Sequence, residues 1–119
     1  MQKLFFPSLK PRFVNEGKVI AQLRKIAQKV AKKSKKVESI YLFGSYAQGN
    51  AGFRSDADIL IVLTQDKRKM MDRLDEFILE FSDGPVPVDV LVYTRAELNT
   101  ALKEANHFLT GALAGIKLV

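Results

Sequence analysis

Cysteine is absent from all 119 residues. That excludes a disulfide framework, any Cys-based zinc site and a thiol nucleophile. At this length one domain is expected over residues 1–119, able to bury somewhat over ~60% of its unfolded surface without a staple. Long apolar runs are missing too, since no window approaches the ~18 consecutive apolar residues of a membrane span. The opening MQKLFFPSLKPRF holds one short apolar patch broken by Pro7 and Pro11, without the longer apolar region and small-residue cleavage site of a signal peptide. The expected setting is cytoplasmic, with no membrane association. There is no internal repeat, low-complexity tract or dividing linker.

Acidic residues are scarce in the first third. Residues 1–36 carry eleven Lys or Arg against the single acid Glu16, a net of +10, whereas the remainder carries eight against twelve acids, a net of −4. Such asymmetry permits contact with nucleic acid or another polyanion. The plainer reading is a solvated helix face ending in KKSKK, whose lysines also complement the C-terminal end of the helix dipole.

What is present is periodic. Val19, Leu23, Ile26 and Val30 recur at helical spacing from Asn15 to about Lys36, with Ile20 and Ala27 widening the stripe and Asn15 as a cap. VESIYLF (Val37 to Phe43) reads as a strand stopped by Gly44. After turn chemistry in AQGNAGFRS, DADILIVL reads as a strand covered on both faces. A helix over about Asp66 to Ser82 carries Met70, Leu74, Phe77, Ile78 and Phe81 on one stripe and stops at Gly84-Pro85, with Met70 and Met71 at the core and its border. VPVDVLVY (Val86 to Tyr93) is a third strand, its first part an edge or lead-in because of Pro87. A last helix is expected over about Arg95 to Leu113, and GIKLV as a short terminal strand. The order implies an α/β (α+β) sandwich, with helices packed on a small mixed sheet.

Asp is depleted in strands and costly to bury without a partner, yet Asp56 and Asp58 open the second strand. Side chains alternate faces along a strand, so the two point the same way, about 6–7 Å apart. Carboxylates so spaced can bridge a pair of Mg²⁺ ions, which sit ~3.5–4 Å apart in two-metal sites. Asp89, between Val88 and Val90, joins them if the third strand lies beside the second. Three like charges on one sheet face repel unless cations sit between them. Gly44-Ser45, at the end of the first strand, offers backbone N–H groups at a helix start, suited to phosphate oxygens. Together these residues describe a metal-bound nucleoside triphosphate. His107, the one histidine, reads as a surface or packing residue rather than a base. Tyr46 reads either as a loop-packing residue or as one that stacks on a base or accepts a nucleotide.

The stretch resembles the minimal nucleotidyltransferases of the DNA polymerase β-like superfamily, whose signature is Gly-Ser, ten residues, then Asp-x-Asp. Here Gly44-Ser45 is followed by Tyr46 to Ser55 and then Asp56-Ala57-Asp58, with further matches at Ala47, Gly49 and Ser55 and the later-strand carboxylate at Asp89. The resemblance runs from about Val37 to Tyr93 and implies a polymerase β palm-like fold. It also implies that Gly44 and Ser45 hold the β- and γ-phosphates of ATP. Asp56 and Asp58 would bind two Mg²⁺, and Asp89 would bind one of them and deprotonate or orient an acceptor hydroxyl. Many relatives carry a basic residue where this chain has Gln48, which leaves open which cation faces the triphosphate; Arg54, Lys67, a lysine of the first helix or a partner protein could substitute.

Similar minimal proteins form toxin–antitoxin pairs with a helical HEPN protein, transferring AMP to a tyrosine of that partner. This is the implied activity, with HEPN protein as partner and a homo-oligomer as a further possibility. Two alternatives stand beside it. One is nucleotidyl transfer to RNA or a small molecule, with the basic first helix guiding the nucleic acid. The other is a non-catalytic module that acts by binding.

Overall fold

The computed structural model describes residues 15–52 and 56–119. Arg54, Ser55 and the N-terminal apolar patch, all given weight above, lie outside the described residues. The chain runs α1 (Glu16–Lys33), β1 (Val37–Phe43), α2 (Ser45–Gln48), β2 (Ala57–Leu63), α3 (Met70–Ser82), β3 (Val88–Thr94), α4 (Arg95–Lys103), α5 (His107–Leu113) and β4 (Ile116–Lys117). The four strands stand in the order β3-β2-β1-β4. β1 is antiparallel to β2 and to β4, while β2 and β3 are parallel, with α3 in the crossover that a parallel pair requires. This is the expected mixed sheet with packed helices.

The near-continuous apolar run of β2 reflects its place between two cores. On one face Ile40, Leu42, Ile59, Ile61 and Val92 pack under Leu23 and Ala27 of α1 and Phe77 and Phe81 of α3. On the other, Phe43, Leu60 and Val62 pack under Leu98 of α4 and Leu109 and Ala112 of α5. Helices on both faces are what such a strand predicts.

Several boundaries differ from expectation, each for a local reason. α1 starts as expected, with Asn15 Oδ1 accepting from Lys18 N at 3.0 Å. It ends at Lys33 rather than Lys36, because Ser34 is extended and its carbonyl takes the N–H of Val37, turning the chain into β1. α3 starts at Met70 rather than Asp66. The Asp66 carboxylate accepts from Arg68 N, the Arg68 guanidinium and Lys36 Nζ, a local alternative to helix for this segment. β3 starts at Val88, and Pro87 serves as its lead-in, its carbonyl accepting from Ala57 N at 2.9 Å. The single last helix is two. Ala105 takes φ 59°, and Asn106 Oδ1 caps α5 by accepting from Leu109 N. Met71 is 71% exposed and Met70 half-buried, so neither is core, and Ile78 also faces outward at 45%.

A buried charge occupies α3 instead. Arg73 is 4% exposed and meets Glu97 through two hydrogen bonds of 2.6 and 2.9 Å, with Arg68 and Asp66 carbonyls taking further guanidinium donors. Glu97 also closes a capping box with Thr94, so one carboxylate ties α3 to the start of α4.

Candidate active site

The site is built where β1 ends and β2 and β3 begin. Gly44 has φ 79° and ψ −151°, which turns the chain from β1 into α2 and which an L side chain rarely adopts. A Cβ at Gly44 would also collide with Asp58 Oδ2. The glycine therefore lets the backbone run directly against a carboxylate. Beyond it, Gly44 O accepts from Ala47 and Gln48, closing the short helix α2. The opening N–H groups of such a turn have no carbonyl within it to bond.

Asp58 sits opposite Phe43 on β1 and opposite Asp89 on β3. Residues paired across neighbouring strands direct their side chains to the same face, so the sheet brings Asp58 and Asp89 together, as the sequence predicts. Asp56 stands outside the strand, exposed, one residue before β2 begins. Its carboxylate still acts on Asp58, whose pKa is raised by burial first, then by Asp89 and then by Asp56. No ion pair among the described residues includes any of the three.

The donor chemistry fits Mg²⁺, a hard cation that takes oxygen ligands. Among the described residues no group of three or more His, Cys, Asp or Glu is placed to hold a metal ion, so the structure brings Asp58 and Asp89 together as a pair and leaves Asp56 outside it. Asp58 and Asp89 supply the carboxylate pair, and Asp56 flanks it.

Tyr46 is 2% exposed and belongs to the α1/α3-side core, so it packs the loop and does not present a ring to a ligand. Its hydroxyl pKa is raised by burial, by Glu16 and by Asp56. Glu16 meanwhile accepts from Ala51 N at 2.8 Å, fastening the start of α1 to the loop behind α2. His107 is exposed on α5, as expected. Gln48 is exposed at the end of α2.

Of the cations considered as substitutes for a basic residue at Gln48, Arg54 lies outside the described residues, and Lys67 and the end of the lysine run lie far from the carboxylates. Lys36 O accepts from Thr64 N, just past the far end of β2 and six residue steps from Asp58, about 20 Å. Lys36 is paired with Asp66, next to Lys67, so the end of KKSKK and Lys67 share that distant edge. Of the α1 lysines, Lys18 stands at the near end, beside Glu16.

An open groove of about 420 Å³ adjoins the carboxylates, lined among others by Asp58, Asp89, Phe43, Leu91 and Phe108. Sequence reasoning missed Phe108, for a single aromatic on the outer side of a short helix has no periodic signature. A second depression of about 340 Å³ runs along α4 by Ala96, Glu97 and Thr100 and includes none of the site carboxylates.

Carboxylates on adjacent strands under a Gly-Ser turn are the arrangement of a nucleotide-handling palm, and comparison with known proteins gives the family. The profile of the nucleotidyltransferase domain matches residues 23–109, and the chain belongs to that family. A Methanocaldococcus jannaschii protein, provisionally named a protein adenylyltransferase, is 36% identical over 86 residues, 68% of this chain and 56% of its own. The chain thus spans little more than half the length of that relative. The crystal structure of a Sulfolobus solfataricus protein, provisionally named a nucleotidyltransferase, superposes with a TM-score of 0.60 at 26% identity over 71% of this chain and 75% of that one. A crystal structure of a toxin-antitoxin with AMP-PNP is 30% identical over 66% of this chain and 57% of that one, with a TM-score of 0.35, too low to compare architectures.

Proposed function

We propose that this nucleotidyltransferase domain transfers AMP from ATP to a hydroxyl of a partner protein, a tyrosine on a helical HEPN-type protein, and thereby acts as an antitoxin. The observation that carries the reading is the direct pairing of Asp58 with Asp89 beside Gly44. The relative provisionally named a protein adenylyltransferase supports the choice of a protein as acceptor.

In this reading Gly44 and Ser45 hold the β- and γ-phosphates through backbone N–H groups and the Ser45 hydroxyl. Asp56, Asp58 and Asp89 are the residues that would hold Mg²⁺, which supplies charge neutralisation for the triphosphate and the leaving group. Asp89 is exposed on β3, the edge strand of the sheet, so an acceptor hydroxyl can reach it from solvent. It takes the hydroxyl proton as the oxygen attacks the α-phosphorus in line, and pyrophosphate departs. The work is positioning and electrostatics, with no need for a Ser, His or Cys nucleophile. Transfer to RNA guided by the first helix is less well supported, because the KKSKK run leads to the end of the sheet remote from Asp58.

The test uses ATP labelled at the α-phosphate, Mg²⁺ and the protein encoded beside this chain. Label on that partner, recovered as AMP on tyrosine, is the expected result. Tight partner binding without label, beside an active relative as control, would replace this reading with the binding-only module.

A further inference from the structure

We propose that the exposed ring of Phe108, braced by Phe43, is the platform on which the nucleobase of the bound nucleotide rests, so that Phe108 sets how tightly a nucleotide is held over a bare triphosphate. The proposal rests on the reading of Gly44, Ser45, Asp58 and Asp89 as the phosphate end of the same site.

Phe108 is 60% exposed although large and apolar. A single exposed apolar residue is ordinary, but this one does not stand alone. Its ring lies 5.5 Å from that of Phe43 at an interplanar angle of 89°, an edge-to-face contact that fixes the ring's orientation while leaving much of it open. Phe43 is only 8% exposed and is the register partner of Asp58. The path from carboxylate to ring is therefore short, one inter-strand step of about 5 Å and then the ring-to-ring contact. Gly44 and Ser45 directly follow Phe43 in sequence.

The groove joining these residues combines two unlike kinds of lining. Among the described residues Asp58 and Asp89 are its charged lining residues, and the rest of the lining, Phe43, Leu91, Ile78 and Phe108 among it, is apolar. A nucleoside triphosphate has the same polarity, a cation-clothed anion at one end and a flat uncharged ring at the other. The groove's volume of about 420 Å³ falls within the ~300–1,000 Å³ usual for small-molecule sites. The other strongly exposed apolar side chains, Met71 and Leu79, do not line it. Among the described residues the groove offers no polar side chain besides the two carboxylates, so the platform holds a base by stacking, which every base can offer.

The test is calorimetric titration with Mg·ATP and with Mg·tripolyphosphate, for wild type, Phe108→Ala, Phe108→Leu and Phe108→Tyr. Phe108→Ala is expected to weaken ATP at least about 5-fold and up to about 150-fold, from the known worth of base–aromatic stacking, while leaving tripolyphosphate unchanged. Phe108→Tyr restores ATP affinity and Phe108→Leu does not, a difference that a merely structural ring would not produce. Equal ATP affinity in wild type and Phe108→Ala overturns the platform, as does equal weakening of both ligands. Wild type that binds tripolyphosphate as tightly as ATP overturns the platform alone. Wild type that binds neither overturns it together with the nucleotide reading of the carboxylates.

Discussion

Asp58 of β2 and Asp89 of β3 are direct partners in a parallel register, two carboxylates side by side with a third, Asp56, just beyond the strand. Burial first, and then this pairing, raises the Asp58 pKa, and the raised value has consequences for stability. In the folded protein the charged form is disfavoured relative to the unfolded chain. Asp58 therefore costs stability above its folded pKa, and the cost disappears as pH falls through that value. Asp58→Asn should raise Tm at pH 7 by a few degrees at most, since the carboxylate is partly solvated and about 1 kcal/mol moves a domain of this size by roughly 3–6 °C. Thermal melts from pH 7 to pH 3 check this, with the difference between variant and wild type shrinking as the pH is lowered. Mg²⁺ should do the reverse, raising the wild-type Tm but not that of the variant, because a ligand of the folded state alone is stabilising.

Gly44 is fixed by two constraints at once, its φ of 79° and the closeness of Asp58 Oδ2. Gly44→Ala should cost about 1–3 kcal/mol in urea unfolding, the usual range for a strained backbone position. Shrinking the obstacle tests the cause. If the clash with Asp58 dominates, adding Asp58→Ala to Gly44→Ala should recover part of the loss, giving a non-additive double-mutant cycle.

Arg73 and Glu97 make the opposite electrostatic prediction. The Arg73 guanidinium, with the Thr94 N–H, lowers the Glu97 pKa to about 2. Arg68 and Lys36 hold Asp66 well below the usual carboxylate range. A depressed folded pKa contributes stability that is present above the unfolded value near ~4.3 and lost as pH falls through the folded one. Tm should therefore decline from about pH 4.5 towards pH 2, the region set by the Glu97 shift. Glu97→Gln should lower stability at pH 7 and flatten the decline. Glu97→Ala should cost more, on the order of 3 kcal/mol, since it strands a buried guanidinium and opens a helix cap.

How much of this could be read from the sequence follows from range. β1, β2 and β3 were legible because β-branched and aromatic runs end at Gly44, Leu63 and Thr94. The meeting of Asp58 and Asp89 was legible because a strand, an amphipathic helix and another strand make a parallel crossover. What escaped depends on contacts between distant residues. Arg73 looks like a solvent-facing position of α3 until Glu97, far along the chain, comes to meet it. Asp66 looks like a helix start until Arg68 and Lys36 take its carboxylate. KKSKK, read first as a solvated helix face, also allows a role in guiding an anionic substrate until its end is found beyond the far end of β2 from the carboxylates. The break at Asn106 was readable as a cap signal, but the apolar spacing through Leu109 and Leu113 masks it.

The position of the basic run gives a direct test of the acceptor. Replacing Lys32, Lys33, Lys35 and Lys36 with Gln should leave Mg·ATP affinity and labelling of the partner unchanged, with a small loss of stability from the ion pairs of Lys33 and Lys36. RNA as the substrate would give a different result. Affinity would fall steeply with salt, and the substitutions would reduce both affinity and slope, because each neutralised phosphate releases counterions. Filter binding over a salt series separates the two.

Asp89 should divide binding from chemistry more cleanly than any other residue. It is exposed on the edge strand, next to Asp58, and in the proposed reading it is the carboxylate that meets the incoming acceptor. Asp89→Asn preserves the side chain's shape and removes its charge and its capacity to take a proton. Loss of a positioned general base costs about 10²–10⁴-fold in rate, so single-turnover AMP transfer should fall at least that far. Mg·ATP should still bind, through Gly44, Ser45, Asp56 and Asp58, with affinity reduced less than the rate. Asp58→Asn should behave differently, losing binding and transfer together. If Asp89→Asn transferred AMP at the wild-type rate, the acceptor proton would have to leave by another route, and the catalytic role would pass from Asp89 to the partner.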